Sequence, residues 1–213
     1  MNAARFALTL AALLLAPACV QAPASPQRSS LAAREVAPAE LLSELRKGGY
    51  ILYFRHAATD FSQNDSKMRS YEDCASQRNL DDKGRADASR VGAAIKQLGI
   101  PVGTVLSSPF CRTVETAQLV FGRAVKTHEV RTGPATPADS GRYAPLRKIL
   151  MTPVQEGANL AVVSHANPFY GVAGPPFLDQ GEAAIIRPLG NGFEVFARIR
   201  VEGWETLKGA AKQ

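Results

Sequence analysis

Two short stretches constrain this chain most: Tyr50-Ile51-Leu52-Tyr53-Phe54, and Asn159-Leu160-Ala161-Val162-Val163, which is apolar after its first residue. A strand with one wet face alternates apolar and polar side chains, whereas a strand covered on both faces does not. These runs therefore predict two strands inside a mainly parallel sheet with helices on either side. Each run ends abruptly in a polar pair, Arg55-His56 and Ser164-His165.

Between and around them the period changes. Leu41, Leu42 and Leu45 give one face of a helix over Pro38 to Lys47, stopped by Gly48-Gly49. Asp81 or Asp82 is placed to cap a second helix, whose stripe Val91, Ile95 and Leu98 ends at Gly99-Ile100-Pro101. Val102 to Leu106 reads as a strand, and Ser107-Ser108-Pro109 as the turn into a helix running to about Gly122. A third strand is expected over 125–130, a helix near 143–151, and two closing strands over 183–186 and 193–199 around the turn Pro188 to Gly192. Strands alternating with helices predict a three-layer α/β/α fold.

The N-terminal end has a different character. Arg5, the apolar run Phe6 to Leu15 and Ala16-Pro17-Ala18 have the form of a signal segment over 1–18, too short to span a bilayer. Cys19 directly after it is a lipidation candidate, and the Pro, Ser and Ala of residues 19–37 suit a linker or tether. The folded domain is then 38–213, and the chain is expected to be exported, in the periplasm or attached to the outer envelope. In such an oxidising compartment Cys74 and Cys111 can close a disulfide, two separate buried thiols being the alternative. A formal charge of +6 suits an anionic ligand or surface, and no basic run with interleaved aromatics points to nucleic acid.

In an open α/β sheet ligands bind at the carboxyl ends of strands, so His56 and His165 are expected to share one crevice. Arg112 falls in the first turn of the helix after Pro109, beside the positive end of a helix dipole, and Arg55 adds a second guanidinium. Planar guanidinium forks match phosphate oxygens. A neutral imidazole beside them can attack phosphorus, and a second, protonated one can hold an equatorial oxygen, with no metal or other cofactor required. A metal reading of the two histidines lacks a third ligand at suitable spacing.

The motifs Phe54-Arg55-His56-Ala57-Ala58-Thr59, Ser107-Ser108-Pro109-Phe110-Cys111-Arg112-Thr113-Val114-Glu115-Thr116-Ala117 and Val162-Val163-Ser164-His165 occur in an order that resembles the histidine phosphatase superfamily, with its phosphoglycerate mutase-like fold. The resemblance covers about Gly49 to Arg200. It implies that His56 is the phosphorylated nucleophile, Arg55 and Arg112 the phosphate clamp, His165 the second pocket histidine and Thr59 a residue that sets the nucleophile loop. Ala57 and Ala166 stand where the family usually has glycine. The general acid is expected at Glu182 first, then Asp179, with Glu129, Asp65 and Asp73 behind them. The expected partner is a phosphorylated small molecule or a cell-envelope phosphate, as for the lipopolysaccharide-core phosphatases that the exported members include. A phosphate-binding lipoprotein without turnover is the alternative from another class. A phosphohistidine-protein phosphatase and a glycolytic mutase fit an exported chain less well.

Overall fold

The computed structural model describes residues 36–134 and 141–211. The signal segment 1–18, Cys19 and all of the linker except its last two residues lie outside them. The described residues form α1 (Pro38–Lys47), β1 (Ile51–Arg55), α2 (Asp82–Gln97), β2 (Val102–Ser107), α3 (Cys111–Phe121), β3 (Val125–Lys126), α4 (Ala144–Met151), β4 (Asn159–Ser164), α5 (Ala166–Ala173), β5 (Ala183–Pro188), β6 (Phe193–Ile199) and α6 (Gly203–Ala210), with 3-10 turns at Cys74–Ser76 and His128–Val130. The strands make one sheet in the order β3-β2-β4-β1-β5-β6. Pairing is parallel from β3 through β1, and β5 and β6 add an antiparallel edge. The short β5–β6 connection dictates that edge, because so few residues can join only antiparallel neighbours.

The apolar strands are covered twice. Leu52, Phe54, Ala161, Val163 and Ile185 face one core with Leu45, Val91, Ala117 and Trp204 from α1, α2, α3 and α6. Ile51, Tyr53, Val162 and Ile186 face another with Leu146, Leu150 and Phe169 from α4 and α5. Each buried large side chain contributes about 1.5–3 kcal/mol over remaining exposed. The result is the predicted three-layer α/β/α arrangement with a mainly parallel sheet. Trp204 anchors the C-terminal end by stacking on Phe54, with ring centroids 5.9 Å apart.

Two local expectations need correction. The third strand is two residues long and exposed, because the Thr127 side chain accepts from the Glu129 N–H and turns the chain into the 3-10 turn. Helix α6 has no counterpart in the sequence reading: its buried residues are just Trp204 and Leu207, too few for a periodic signal.

Asp81 caps α2 through the Gly84 N–H. A Cβ on Gly84 would lie 2.1 Å from the Ala58 carbonyl oxygen, so glycine here lets α2 press directly against the segment that follows His56.

Candidate active site

Sheet register assembles the site. β1 and β4 are parallel neighbours with Arg55 opposite Ser164, so His56 and His165, each one residue beyond its strand, emerge side by side. The His56 N–H donates to the Ser164 carbonyl at 3.0 Å, and the two imidazole centroids lie 5.3 Å apart. β2 on the other side of β4 ends at Ser107, and the next residue, Ser108, places its Oγ 2.9 Å from His165 Nε2. Both histidines are buried.

His56 Nδ1 lies 2.8 Å from its neighbour's carbonyl, Ala57 O. A carbonyl can only accept, so Nδ1 carries the proton and Nε2 keeps its lone pair. The Ala57 N–H in turn donates to Thr116 Oγ1, tying the turn to α3. No described non-glycine residue has a positive φ, so Ala57 and Ala166 sit in ordinary backbone conformations and their Cβ atoms cost no strain. Thr59 is buried, bridges to Leu80 and accepts from Gln180 Nε2 at 3.0 Å, which fixes the outgoing chain.

Three guanidinium groups converge on the histidines. Arg112, in the first turn of α3, is 3% exposed and lies over the Phe110 ring, 4.4 Å from its centroid. Arg55 donates from Nη1 to the Leu178 carbonyl at 2.7 Å. Arg78, from the long loop between β1 and α2, packs over Phe61 and joins them. Among the described residues, four buried side-chain polar atoms lack a hydrogen-bond partner, and three are the Nε atoms of Arg55, Arg78 and Arg112. Leaving a buried donor unpaired costs about 1–3 kcal/mol, so three in one place mark a site built for an absent acceptor.

The electrostatics follow from burial and like charge. Burial first, then the charges of Arg112, Arg55 and Arg78, hold His56 down at about 3, against the opposing pull of the Ala57 carbonyl. Burial, then His56 and the same three arginines, hold His165 well below the ordinary range. Burial also lowers Arg55 and Arg112, helped in each case by Arg78. Burial and the surrounding guanidinium charges thus favour the neutral form of both imidazoles.

The carboxylates are redistributed relative to expectation. Glu182 is buried, and Arg198 donates to both its oxygens at 2.7 Å while the Asp179 N–H donates to Oε2 at 2.6 Å. A bidentate acceptor so engaged is a strut, not a proton donor. Asp179 pairs with Arg200 at 3.2 Å on the surface. Glu129 is exposed, and Asp73 occupies the N-cap position of the first 3-10 turn. Of the five, Asp65 is the one that hydrogen-bonds a pocket guanidinium: its Oδ1 accepts from Arg112 Nη1 and from the Arg78 N–H, both at 2.9 Å.

Cys74 and Cys111 form a disulfide with Cα atoms 5.7 Å apart, which fastens the Arg78 loop to the residue before Arg112. Gln77 adds a second tie, accepting from the Cys111 N–H at 3.0 Å. In the sequence Arg78, like Arg69 and Arg85, reads either as a residue of the pocket rim for a polyanionic ligand or as a solvated charge. The sign that would have found it is the Cys74 to Cys111 link, which brings its loop to α3. Arg85 is paired on the surface with Glu115 and Asp82. His128 is exposed, its ring against Tyr71, and Asn167 ties α5 to the Gly133 carbonyl.

Residues 51–133 match the family model described as histidine phosphatase superfamily (branch 1). No significant match exists among curated protein sequences. Among solved structures the chain is similar to the protein histidine phosphatase SixA complexed with tungstate, with TM-score 0.53 and 17% identity over 71% of this chain and 97% of that one. It is also similar to phosphoglycerate mutase from Bacillus anthracis str. Sterne, with TM-score 0.52 and 13% identity over 78% of this chain and 99% of that one. At these identities the likeness is one of fold. The family match runs from β1 through the Arg55-His56 pair and α3 to the second 3-10 turn, so over residues 51–133 the chain is similar to the histidine phosphatase superfamily, on a sheet whose fold is phosphoglycerate mutase-like.

Proposed function

We propose that the chain is a phosphatase that hydrolyses phosphomonoesters through a phosphohistidine on His56, without a metal requirement. One observation carries the proposal: a neutral imidazole whose tautomer frees Nε2 stands amid three guanidinium groups, each with a buried Nε–H that has no partner among the described residues. A phosphoryl group offers several oxygens to those donors at once. In the first step Nε2 bonds to phosphorus as the ester P–O bond breaks. In the second, water bonds to phosphorus as the P–Nε2 bond breaks, releasing phosphate and neutral His56. Charge spreading over the equatorial oxygens meets fixed positive groups that need no reorganisation, the role a metal ion plays elsewhere.

Turnover of an aryl phosphate by the full chain in the presence of chelator tests this. Wild type is expected to turn over and His56→Ala to lose at least roughly a thousandfold, as for loss of a nucleophile. Equal activity in the two proteins refutes the mechanism. Binding of vanadate with no turnover of any phosphate ester favours the phosphate-binding lipoprotein, the reading that Glu182's engagement with Arg198 supports. The substrate we assign is a phosphorylated small molecule or cell-envelope phosphate outside the cytoplasm. The N-terminal signal-type segment and a disulfide close to the pocket support that compartment.

A further inference from the structure

The leaving oxygen of a phosphomonoester needs a proton, and Glu182 is bound to Arg198. We infer that Asp65 is the proton donor of the phosphorylation step, an inference that rests on the phosphohistidine reading. It is drawn from the position of Asp65 and from its anchoring.

His56 lies at the bottom of the pocket, 2% exposed, whereas the Asp65 side chain, on the loop 57–80, is 32% exposed. In-line displacement drives the leaving oxygen away from the attacking nitrogen, hence away from the buried floor and toward the exposed side, and Asp65 is a partly exposed carboxylate hydrogen-bonded to Arg112. Oδ1 is fixed by the Arg78 N–H and by Arg112 Nη1, while Oδ2 makes no hydrogen bond among the described residues. One oxygen therefore holds the carboxyl beside the phosphate clamp and the other is available to carry and give a proton.

The steps balance as follows. As His56 Nε2 bonds to phosphorus, the P–O bond breaks, its electron pair stays on the leaving oxygen, and the proton of Asp65 Oδ2 moves to that oxygen to release the alcohol. Water then bonds to phosphorus and gives its proton to the Asp65 carboxylate as the P–Nε2 bond breaks. Asp65 ends protonated, and phosphate leaves.

A donor and a residue that merely positions Arg112 differ in how they respond to leaving groups. The experiment measures kcat/KM of wild type, Asp65→Asn and Asp65→Glu full chains on a series of monoesters from 4-nitrophenyl to simple alkyl phosphate at one pH. An asparagine at this position still offers an oxygen to Arg112. The expected result is a loss of roughly 10²–10⁴-fold on alkyl phosphates, less than about tenfold on 4-nitrophenyl phosphate, and partial recovery of alkyl turnover in Asp65→Glu. Equal loss on every ester makes Asp65 a positioning residue and overturns the inference, as does no loss on any. Wild-type turnover that survives His56→Ala sinks the phosphohistidine reading itself, which separates that failure from a failure confined to Asp65.

Discussion

At the residue scale, Arg78 joins Arg55 and Arg112 beside the histidines, while Glu182 is taken up by an ion pair with Arg198. Arg78 stands in a loop rich in charges and reads as either a pocket-rim or a solvated residue; among the described residues its Nε is buried without a partner, and its charge acts on both histidines. Charge-assisted hydrogen bonds are worth about 1.5–3 kcal/mol, so Arg78→Ala should weaken inhibition by phosphate or vanadate roughly 10- to 150-fold. Arg78→Lys should recover the smaller part, because an ammonium lacks the planar fork. An inhibition constant unchanged in Arg78→Ala would remove it from the clamp. Glu182 lies next to the loop that follows α5 and reads as a proton donor, but its oxygens are held by Arg198. Glu182→Gln is accordingly expected to keep aryl phosphatase activity while losing about 1–3 kcal/mol in urea unfolding. Loss of turnover without loss of stability would return Glu182 to the chemistry.

At the element scale the decisive piece is the connection between β1 and α2, more than twenty residues whose helical content is one 3-10 turn. A connection of this length inside a compact domain is usually functional, and here it carries both Asp65 and Arg78. Its burial is slight, so it is held in place by side-chain hydrogen bonds and by the disulfide. Cross-linking residues 37 apart stabilises by about 4 kcal/mol in the chain-entropy model. Reduction, or the double substitution of Cys74 and Cys111 by serine, should lower the thermal midpoint and also raise KM for an aryl phosphate at temperatures where the sheet remains folded. The second effect arises because the freed loop no longer presents Arg78 and Asp65. A thermal midpoint that falls with KM unchanged would show that the loop keeps its place without the link.

At the scale of the whole molecule, stability and site are coupled through pH. Folding holds His56 at about 3 and His165 well below 6.5, so between these values and 6.5 the unfolded chain binds more protons than the folded one. Stability therefore rises with pH across that window and is lost as pH falls below about 6.5, by at most about 1.4 kcal/mol per pH unit for each histidine. Thermal midpoints from pH 7 to pH 4 should show this slope, shallower in His56→Ala, and vanadate should flatten it by favouring a charged imidazole. A slope identical in wild type and His56→Ala would contradict the burial argument. The sequence by itself determined the apolar strands, the two histidines at their ends, a helix cap at Asp81 or Asp82 and Arg112 in the first turn of its helix, because each depends on neighbours a few residues away. It also carried the three-layer arrangement, since strands apolar on both faces require cover on both. Which carboxylate meets the clamp, that Arg78 joins it and that Arg198 takes Glu182 were decided by tertiary structure alone. Those pairings join residues from separate elements or from an aperiodic loop, and their geometry exists only once the sheet register and the Cys74–Cys111 link have set the distances.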